Sequence, residues 1–300
     1  MIYKSNNVNG IFAVSIGSVL LGSIGIFVRL ADTALLPMTQ SFGRIFVSFL
    51  AITILNLVRG SLGAEKVVVK KADYPLFIIN GLIGFTIMAS AFTLSVIHTT
   101  ITNTYFLLYT APIFAAIFSV TFLKEKLKYY IPISIIISVS GLVFLFNPTD
   151  LTQNLLGNFY GLITGLAFGA YFVITSRLGK SYPASTITFW TGLFGAAGLF
   201  PLIFIFDKPS FVPLTYSDWS PVIWAGIVVF MGYWLLNYGL TKISASAGSI
   251  LSLFEPLSAV VYGLVFFSEI PSSNVLLGAF LILGSIVYLS INQTRKVGRS

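Results

Sequence analysis

Ten apolar segments of helix length follow one another along this 300-residue chain, with short polar loops between them. Each comes close to the roughly 20 residues that an α-helix needs to cross about 30 Å of hydrocarbon. No loop is long enough for a soluble domain, so we predict an all-α polytopic membrane protein. We place the ten spans at Gly10–Leu30, Pro37–Val58, Tyr74–Ile97, Ile101–Leu123, Tyr130–Phe146, Gly157–Leu178, Ser185–Phe206, Trp219–Thr241, Ala247–Phe267 and Asn274–Ile291.

Composition supports a membrane location and argues against several other classes. Charged residues make up 9% of the chain, against about 25% in soluble domains, and the mean hydropathy is +0.94. With no cysteine and a single histidine, His98, the chain cannot form disulfides, thiolate metal sites or a histidine cluster. We therefore expect no metal and no cofactor.

The basic residues predict the orientation of the spans. Membrane proteins retain lysine and arginine on the cytoplasmic side. If the N-terminus is cytoplasmic, only Lys208 falls in an outer loop, and Arg29 and Arg44 lie at a span end and within a span. We thus expect the plasma (inner) membrane with both termini cytoplasmic, and no nucleic-acid partner for the net charge of +8. The inner segments hold Lys4, Arg59, Lys66, Lys70, Lys71, Lys124, Lys126, Lys128, Arg177, Lys180, Lys242, Arg295, Lys296 and Arg299.

The two halves of the chain carry a repeated pattern. A proline inside an apolar run is followed thirteen residues later by a glutamate, as Pro112 with Glu125 and as Pro256 with Glu269. Pro256 lies 144 positions after Pro112, and Glu269 lies 144 positions after Glu125. Five spans in each half turn the second copy upside down, so we predict two inverted five-helix repeats, at residues 1–147 and 154–292, with a substrate site near the midplane between them.

The same segments resemble a known family. The run LKEKL at Leu123–Leu127 and its counterpart FEPLSAVVYGLVFFSE at Phe254–Glu269 are similar to the drug/metabolite transporter superfamily, in its EamA-like ten-helix branch. The preceding segments Phe92–Tyr105 and Tyr238–Ile250 are similar as well. The resemblance implies ten helices in two repeats and membrane transport of amino acids, other metabolites or drugs, often outward.

Glu255 is the main candidate site residue because it lies near mid-membrane, where an ionisable side chain costs about 2.5 to 3.5 kcal/mol on insertion scales. At helical spacing it shares a face with Ser252, which we include in the site. Pro256 cannot donate to the carbonyl of Ser252, which would leave that acceptor available. Glu255 could be the counter-ion for a substrate ammonium or a protonatable coupling group; alternatively, it forms a buried pair with an arginine that only fixes packing.

Arg44 falls within the second span, on the same face as Gln40. Its planar guanidinium could bind a substrate carboxylate, which together with Glu255 would suit a zwitterion such as an amino acid. Alternatively, Arg44 pairs with backbone carbonyls or extends toward the outer face.

Aromatic and amide side chains complete the candidate site. Tyr105 and Tyr109 are one turn apart in the fourth span, Tyr171 lies in the sixth, and Trp234 and Asn237 are close together in the eighth. Such side chains could line a pocket for a small amphipathic molecule. Aromatic stripes of this kind also occur in helix cores and interface belts.

Pro112 and Pro256 also weaken their helices at matched depths. They are candidate hinges for a rocking motion, although a static kink that shapes packing would give the same sequence pattern.

We interpret the chain as a secondary transporter. We do not expect an enzyme, because the sequence carries no catalytic motif. The transporter would move a small polar or amphipathic metabolite such as an amino acid, with outward transport implied by the resemblance, and we expect it to act as a monomer. There is no GxSxG, HExxH or GxxxxGK[ST] motif and no channel filter sequence. An uncoupled facilitator is the closest alternative, and a membrane receptor or scaffold is a further one.

Overall fold

The computed structural model describes residues 2–31, 36–61, 68–148, 151–207 and 216–295. Throughout these ranges the regular structure is helical, without strands, which confirms the predicted fold class. The helices are α1 Ile2–Gly22, α2 Ile24–Ala31, α3 Pro37–Ser61, α4 Tyr74–Gly81, α5 Met88–His98, α6 Ile101–Leu108, α7 Ala111–Leu123, α8 Tyr130–Phe146, α9 Leu155–Leu178, α10 Ala184–Leu202, α11 Tyr216–Leu240, α12 Ala245–Leu251, α13 Phe254–Phe267 and α14 Ser273–Arg295. A 3₁₀ turn at Lys71–Asp73 precedes α4, a π-helical turn at Leu82–Ile87 joins α4 to α5, and another at Ile203–Asp207 extends α10.

Ten apolar spans are present in the described part of the chain. Nine are long and apolar enough to cross a membrane by length and composition, and the tenth, Tyr130–Phe146, is shorter. Their ends lie within a few residues of the predicted ones. The main difference is at the start, where α1 begins at Ile2, so that the helix includes polar residues that precede the apolar segment.

Several basic residues that enter the orientation argument, Lys66, Lys208, Lys296 and Arg299, lie outside the described residues. Lys4, Arg29 and Arg295 are described by their backbone alone.

The packing of the spans follows a two-fold pattern. With the ten spans numbered in chain order, the most extensive contacts join spans of the first half to spans of the second. Span 1 packs on span 8, and the equivalent pair is spans 6 and 3. Span 2 packs on span 8, and the equivalent pair is spans 7 and 3. Span 4 meets span 6 as span 9 meets span 1, while spans 5 and 10 pair with each other, as do spans 2 and 7. The two halves therefore form one interleaved bundle.

The crossing of spans 5 and 10 depends on two glycines. A Cβ atom added to Gly278 would lie 2.5 Å from the carbonyl oxygen of Gly141, and one added to Gly141 would lie 2.9 Å from that of Gly278. Small residues allow membrane helices to approach this closely and gain van der Waals contact. Spans 5 and 10, the last span of each half, therefore pack with their backbones in contact.

Spans 4 and 9 are each broken into two helices. The first break lies between Leu108 and Ala111, and the second between Leu251 and Phe254. In both cases a proline follows in the first turn of the second helix, where its missing N–H would have no intrahelical acceptor, so proline is tolerated there. The breaks lie at nearly equivalent positions of the two halves.

Candidate functional site

A cavity of about 570 Å³ extends along α13 from the break in span 9 to the loop that follows the helix. We call it the aromatic cavity. Its size falls within the range of about 300–1,000 Å³ that is typical of small-molecule sites. Both halves contribute to its lining, which consists of Leu21, Gly22, Ile24, Gly25, Ile26, Ile101, Tyr105, Tyr109, Leu145, Phe146, Glu255, Pro256, Ala259, Val260, Tyr262, Gly263, Phe267, Glu269, Ile270, Pro271, Ser272 and Val275.

Glu255 lies at the inner limit of the aromatic cavity, in the first turn of α13. The break in span 9 creates this helix start at mid-span, and the N-terminal end of a helix favours a negative charge. The hydroxyl of Tyr109 donates a hydrogen bond to the Glu255 carboxylate. The broken helix and Tyr109 therefore offset part of the cost of an acid at this depth, and the carboxylate faces the cavity.

Three aromatic rings form a wall next to Glu255. The ring centroids of Tyr105 and Tyr109 are 6.1 Å apart, and Phe146 lies 6.2 and 5.8 Å from them, with all three planes within 16° of parallel. Phe92 packs edge-on against Tyr105 at 5.1 Å. The wall offers a flat apolar surface next to the Glu255 carboxylate.

Arg44 is not part of the cavity lining. Its Nη2 donates to the Ser41 hydroxyl at 3.3 Å, and the guanidinium interacts electrostatically with Tyr105 and Tyr233. Tyr233 in turn interacts electrostatically with Glu255. The structure thus brings Arg44 and Glu255 into one cluster through tyrosines, without a direct pair between them.

Other predicted site residues lie away from the cavity. Tyr171 is fully buried and donates to Asn237 Oδ1 at 2.6 Å, while Asn237 Nδ2 donates to Thr188 Oγ1 at 2.9 Å. These contacts join spans 6, 7 and 8 and use the polar groups that we expected to face substrate. Gln40 is buried, and Trp234 stacks on Phe230 outside the cavity lining.

The environment of Ser252 differs from the prediction. Its carbonyl already accepts a hydrogen bond from the backbone N–H of Glu255 at 2.9 Å, so it is not left without a donor. The reason is that the chain forms a tight turn at the break, which supplies a donor three residues later in place of Pro256. The Ser252 hydroxyl donates to the carbonyl of Ser249 at 2.7 Å and is also occupied.

Some residues of this site were missing from our sequence prediction. Phe146 ends span 5, and nothing in its pattern indicates that it reaches the wall formed by span 4. Tyr233 precedes Trp234 in span 8, but helical periodicity could not show that it interacts with Glu255.

Comparison with known proteins identifies the family. The model of the EamA-like transporter family matches residues 8–147 and again residues 155–291, which together cover most of the chain. The chain belongs to the EamA-like transporter family. It is therefore a multi-pass membrane transporter.

Its relatives are transporters as well. An uncharacterized transporter of Clostridium kluyveri is 26% identical over 251 residues, covering 81% of each chain, and one of Archaeoglobus fulgidus is 26% identical over 278 residues, covering 92% of this chain and 94% of the relative. The pseudopaline exporter CntI of Pseudomonas aeruginosa is 20% identical over 77% of this chain and 79% of its own. A crystal structure with 16% identity has a TM-score of 0.78, covering 96% of this chain and 99% of its own, and shares the fold.

This EamA-like transporter has a second cavity, of about 320 Å³, at the opposite ends of spans 4 and 9. We call it the basic cavity. Burial raises the pKa of Glu125 above its ordinary 4.5, although hydrogen bonds from the Ser119 hydroxyl and the Ala245 backbone N–H, and the charge of Lys180, oppose the shift. The lining consists of Asn7, Glu125, Lys126, Leu127, Lys128, Tyr130, Ile131, Lys242, Ile243, Ser244, Ser246 and Gln293.

The described residues of this EamA-like transporter contain no group of three or more His, Asp or Glu side chains that could hold a metal ion.

Proposed function

We propose that this transporter is a secondary carrier that exports small amphipathic metabolites with an amine group, amino acids being the first class to test. The aromatic cavity is the substrate site, and its carboxylate at the break of span 9 is the observation that carries the proposal.

The chemistry of the lining supports an amine. Glu255 provides a negative charge at the end of the cavity, and no lysine or arginine contributes to the described lining. An ammonium group could therefore bind Glu255 by a charge-assisted hydrogen bond while an apolar body packs against the wall of Tyr105, Tyr109 and Phe146. Arg44 is not in the lining but interacts electrostatically with Tyr105, which is, so we assign Arg44 no direct substrate contact in this conformation.

Alternating access is supported by the arrangement of the halves. The span contacts form two-fold related pairs, and the two breaks are at nearly equivalent positions. Discontinuous helices at matched positions of inverted repeats are a feature of transporter binding sites. We propose that residues 1–147 and 154–292 are the inverted repeats and that Pro112 and Pro256 lie at the hinges between the half-helices.

Charge indicates how the protein is oriented in the membrane, and a relative supports the direction of transport. Because lysines cluster around the basic cavity, we assign that end to the cytoplasm, which directs the aromatic cavity outward. A relative that is named as an exporter supports outward transport.

Counterflow in proteoliposomes tests the proposal. Purified protein is first screened with amino acids and related amines by thermal shift, and the stabilising compound is loaded inside the vesicles at high concentration. We expect transient accumulation of labelled compound from outside, because a carrier exchanges substrate between two states. Downhill flux without such exchange would reject the carrier in favour of a channel-like permease. A second test, in which an imposed pH gradient drives uphill flux, distinguishes a proton-coupled carrier from an uncoupled facilitator.

A further inference from the structure

The C-terminal ends of spans 4 and 9 form the same local structure. Lys124 and Ser268 both adopt left-handed backbone conformations, with φ of 57° and 55°. In each case the next residue is a glutamate whose backbone N–H donates to the carbonyl six residues earlier. Glu125 donates to Ser119 and Glu269 donates to Gly263, both at 3.1 Å. Two glutamates 144 positions apart are thus held in the same way at opposite ends of the bundle.

At the basic end, Glu125 joins the two halves. Its carboxylate accepts hydrogen bonds from the Ser119 hydroxyl of its own half and from the backbone N–H of Ala245, the first residue of α12 in the other half. Ser119 also forms a 2.7 Å hydrogen bond with the hydroxyl of Ser246, and both serines are fully buried. These contacts join spans 4 and 9 at the basic end.

At the opposite end, the equivalent groups are separated by the aromatic cavity. Ile101 is the counterpart of Ala245, again 144 positions away, and is the first residue of α6; Thr100 caps that helix as Ser244 caps α12. Glu269 and Ile101 both line the cavity, one from each half. Gly263 replaces Ser119, and a Cβ atom there would lie 2.9 Å from Glu269 Oε2, so the carboxylate occupies the space of the missing side chain.

We infer that Glu125 and Glu269 are paired gate residues of the transport cycle. Glu125 holds the basic end shut in the conformation seen here, and Glu269 makes the equivalent contact with the backbone N–H of Ile101 when the aromatic end closes. The inference rests on the proposed alternating access and names the groups that control it.

The contacts explain why the two closed states can be similar in free energy. A carboxylate that accepts from a backbone N–H group gains a charge-assisted hydrogen bond. Glu269 has a partner of its own in the present conformation, so closure of the aromatic end exchanges one contact for another. Opening of the basic end releases Glu125 to the polar surroundings of the basic cavity.

Cysteine accessibility tests the inference, because the natural chain has no cysteine. Ala116→Cys and Val260→Cys are reporters at equivalent positions, 144 residues apart. Ala116 is 5% exposed and lies one turn before Ser119, whereas Val260 lines the aromatic cavity. The rate of maleimide labelling of each reporter in detergent therefore measures how far its end is open.

The two gate variants should move the reporters in opposite directions. Glu125→Ala should raise the labelling rate of Ala116→Cys by several-fold, up to about tenfold, which corresponds to about 1.4 kcal/mol, and lower that of Val260→Cys. Glu269→Ala should lower the labelling rate of Ala116→Cys and leave Val260→Cys fully reactive. Lys126→Ala is the control, since it removes a neighbouring side chain of the basic cavity and should leave both rates unchanged.

The gate is rejected if Glu269→Ala leaves both labelling rates unchanged or moves them in the same direction as Glu125→Ala. If Glu125→Ala does not elute as folded protein, Ser119→Ala removes two of the same contacts and should have the same effect. Wild-type counterflow separates the two ideas: counterflow with unmoved reporters rejects the gate alone, whereas a wild type without counterflow rejects the proposed carrier.

Discussion

At the residue scale, the site depends on one acid whose surroundings are set by a helix break. Glu255 lies in the first turn of α13, accepts a hydrogen bond from Tyr109 and faces a cavity. Its counterpart in the first half is Ala111, so the acid is found in one half only. The two halves thus share a frame, but only the second supplies a charge to the cavity.

Replacing Glu255 with glutamine should weaken substrate binding roughly 10- to 100-fold, because a hydrogen bond to a charged group contributes about 1.5 to 3 kcal/mol. Isothermal titration calorimetry with the compound found by thermal shift measures the change in dissociation constant. Asp73→Asn is the control, since Asp73 precedes α4 and pairs with Tyr182 away from the cavity. Equal affinity of wild type and Glu255→Gln would remove Glu255 from the site.

Tyr109→Phe should weaken binding of the same compound by roughly tenfold or less, because it removes one hydrogen bond to Glu255 and keeps the stacked ring. Phe146→Ala provides the comparison: it removes ring surface and should affect compounds with large apolar bodies most. If Tyr109→Phe bound as tightly as wild type, the hydroxyl would have no role in holding the carboxylate for substrate.

Glu125 should make stability depend on pH. Because burial raises its pKa above 4.5 in the folded protein, the folded state binds more protons than the unfolded state above that pH, so this residue's contribution to stability falls as pH rises. Glu125→Gln should therefore show a smaller loss of melting temperature than wild type between pH 4.5 and 7. A parallel decline of wild type and Glu125→Gln would contradict this assignment.

At the element scale, the broken spans are the part of the fold that the sequence indicates best. Pro112 and Pro256 mark both breaks, and the lengths of the apolar segments predict all ten spans to within a few residues. The sequence does not show that each proline begins a new helix rather than kinking a continuous one. That outcome depends on turn hydrogen bonds such as the one from Glu255 to Ser252.

The site itself could be predicted only in part. Glu255, Tyr105 and Tyr109 reach the cavity, as the helical faces of spans 4 and 9 suggest. Tyr171 and Asn237 face inward as predicted but bond to each other, because periodicity gives the direction of a side chain and not the helix that it meets.

The crossing of spans 5 and 10 gives a prediction of its own. Gly278→Val should lower the free energy of unfolding by about 1 to 3 kcal/mol, because any side chain there meets the backbone of Gly141. Gly284→Val is a matched control on the same helix, since a Cβ atom at Gly284 has no neighbour within 4 Å. Thermal unfolding in detergent measures both; equal destabilisation would show that valine in α14, and not the crossing, is responsible.

At the scale of the whole molecule, the most extensive contacts between described spans join the two halves in two-fold related pairs. Such a bundle can exchange an opening at one end for an opening at the other by moving one set of contacts against its counterpart. The aromatic cavity and the basic cavity lie at opposite ends of the same two broken spans. Under the proposed alternating access, the described conformation is the one in which the aromatic end is open.

The most direct test of alternating access is the distance between spin labels at Ile101→Cys and Ile270→Cys. Both positions line the aromatic cavity, one in each half, and both are well exposed. Pulsed electron–electron double resonance on the purified protein should give two distance populations. The transported compound should shift their ratio as the cavity closes around it. A single distance that stays unchanged while the same preparation carries out counterflow would contradict the account.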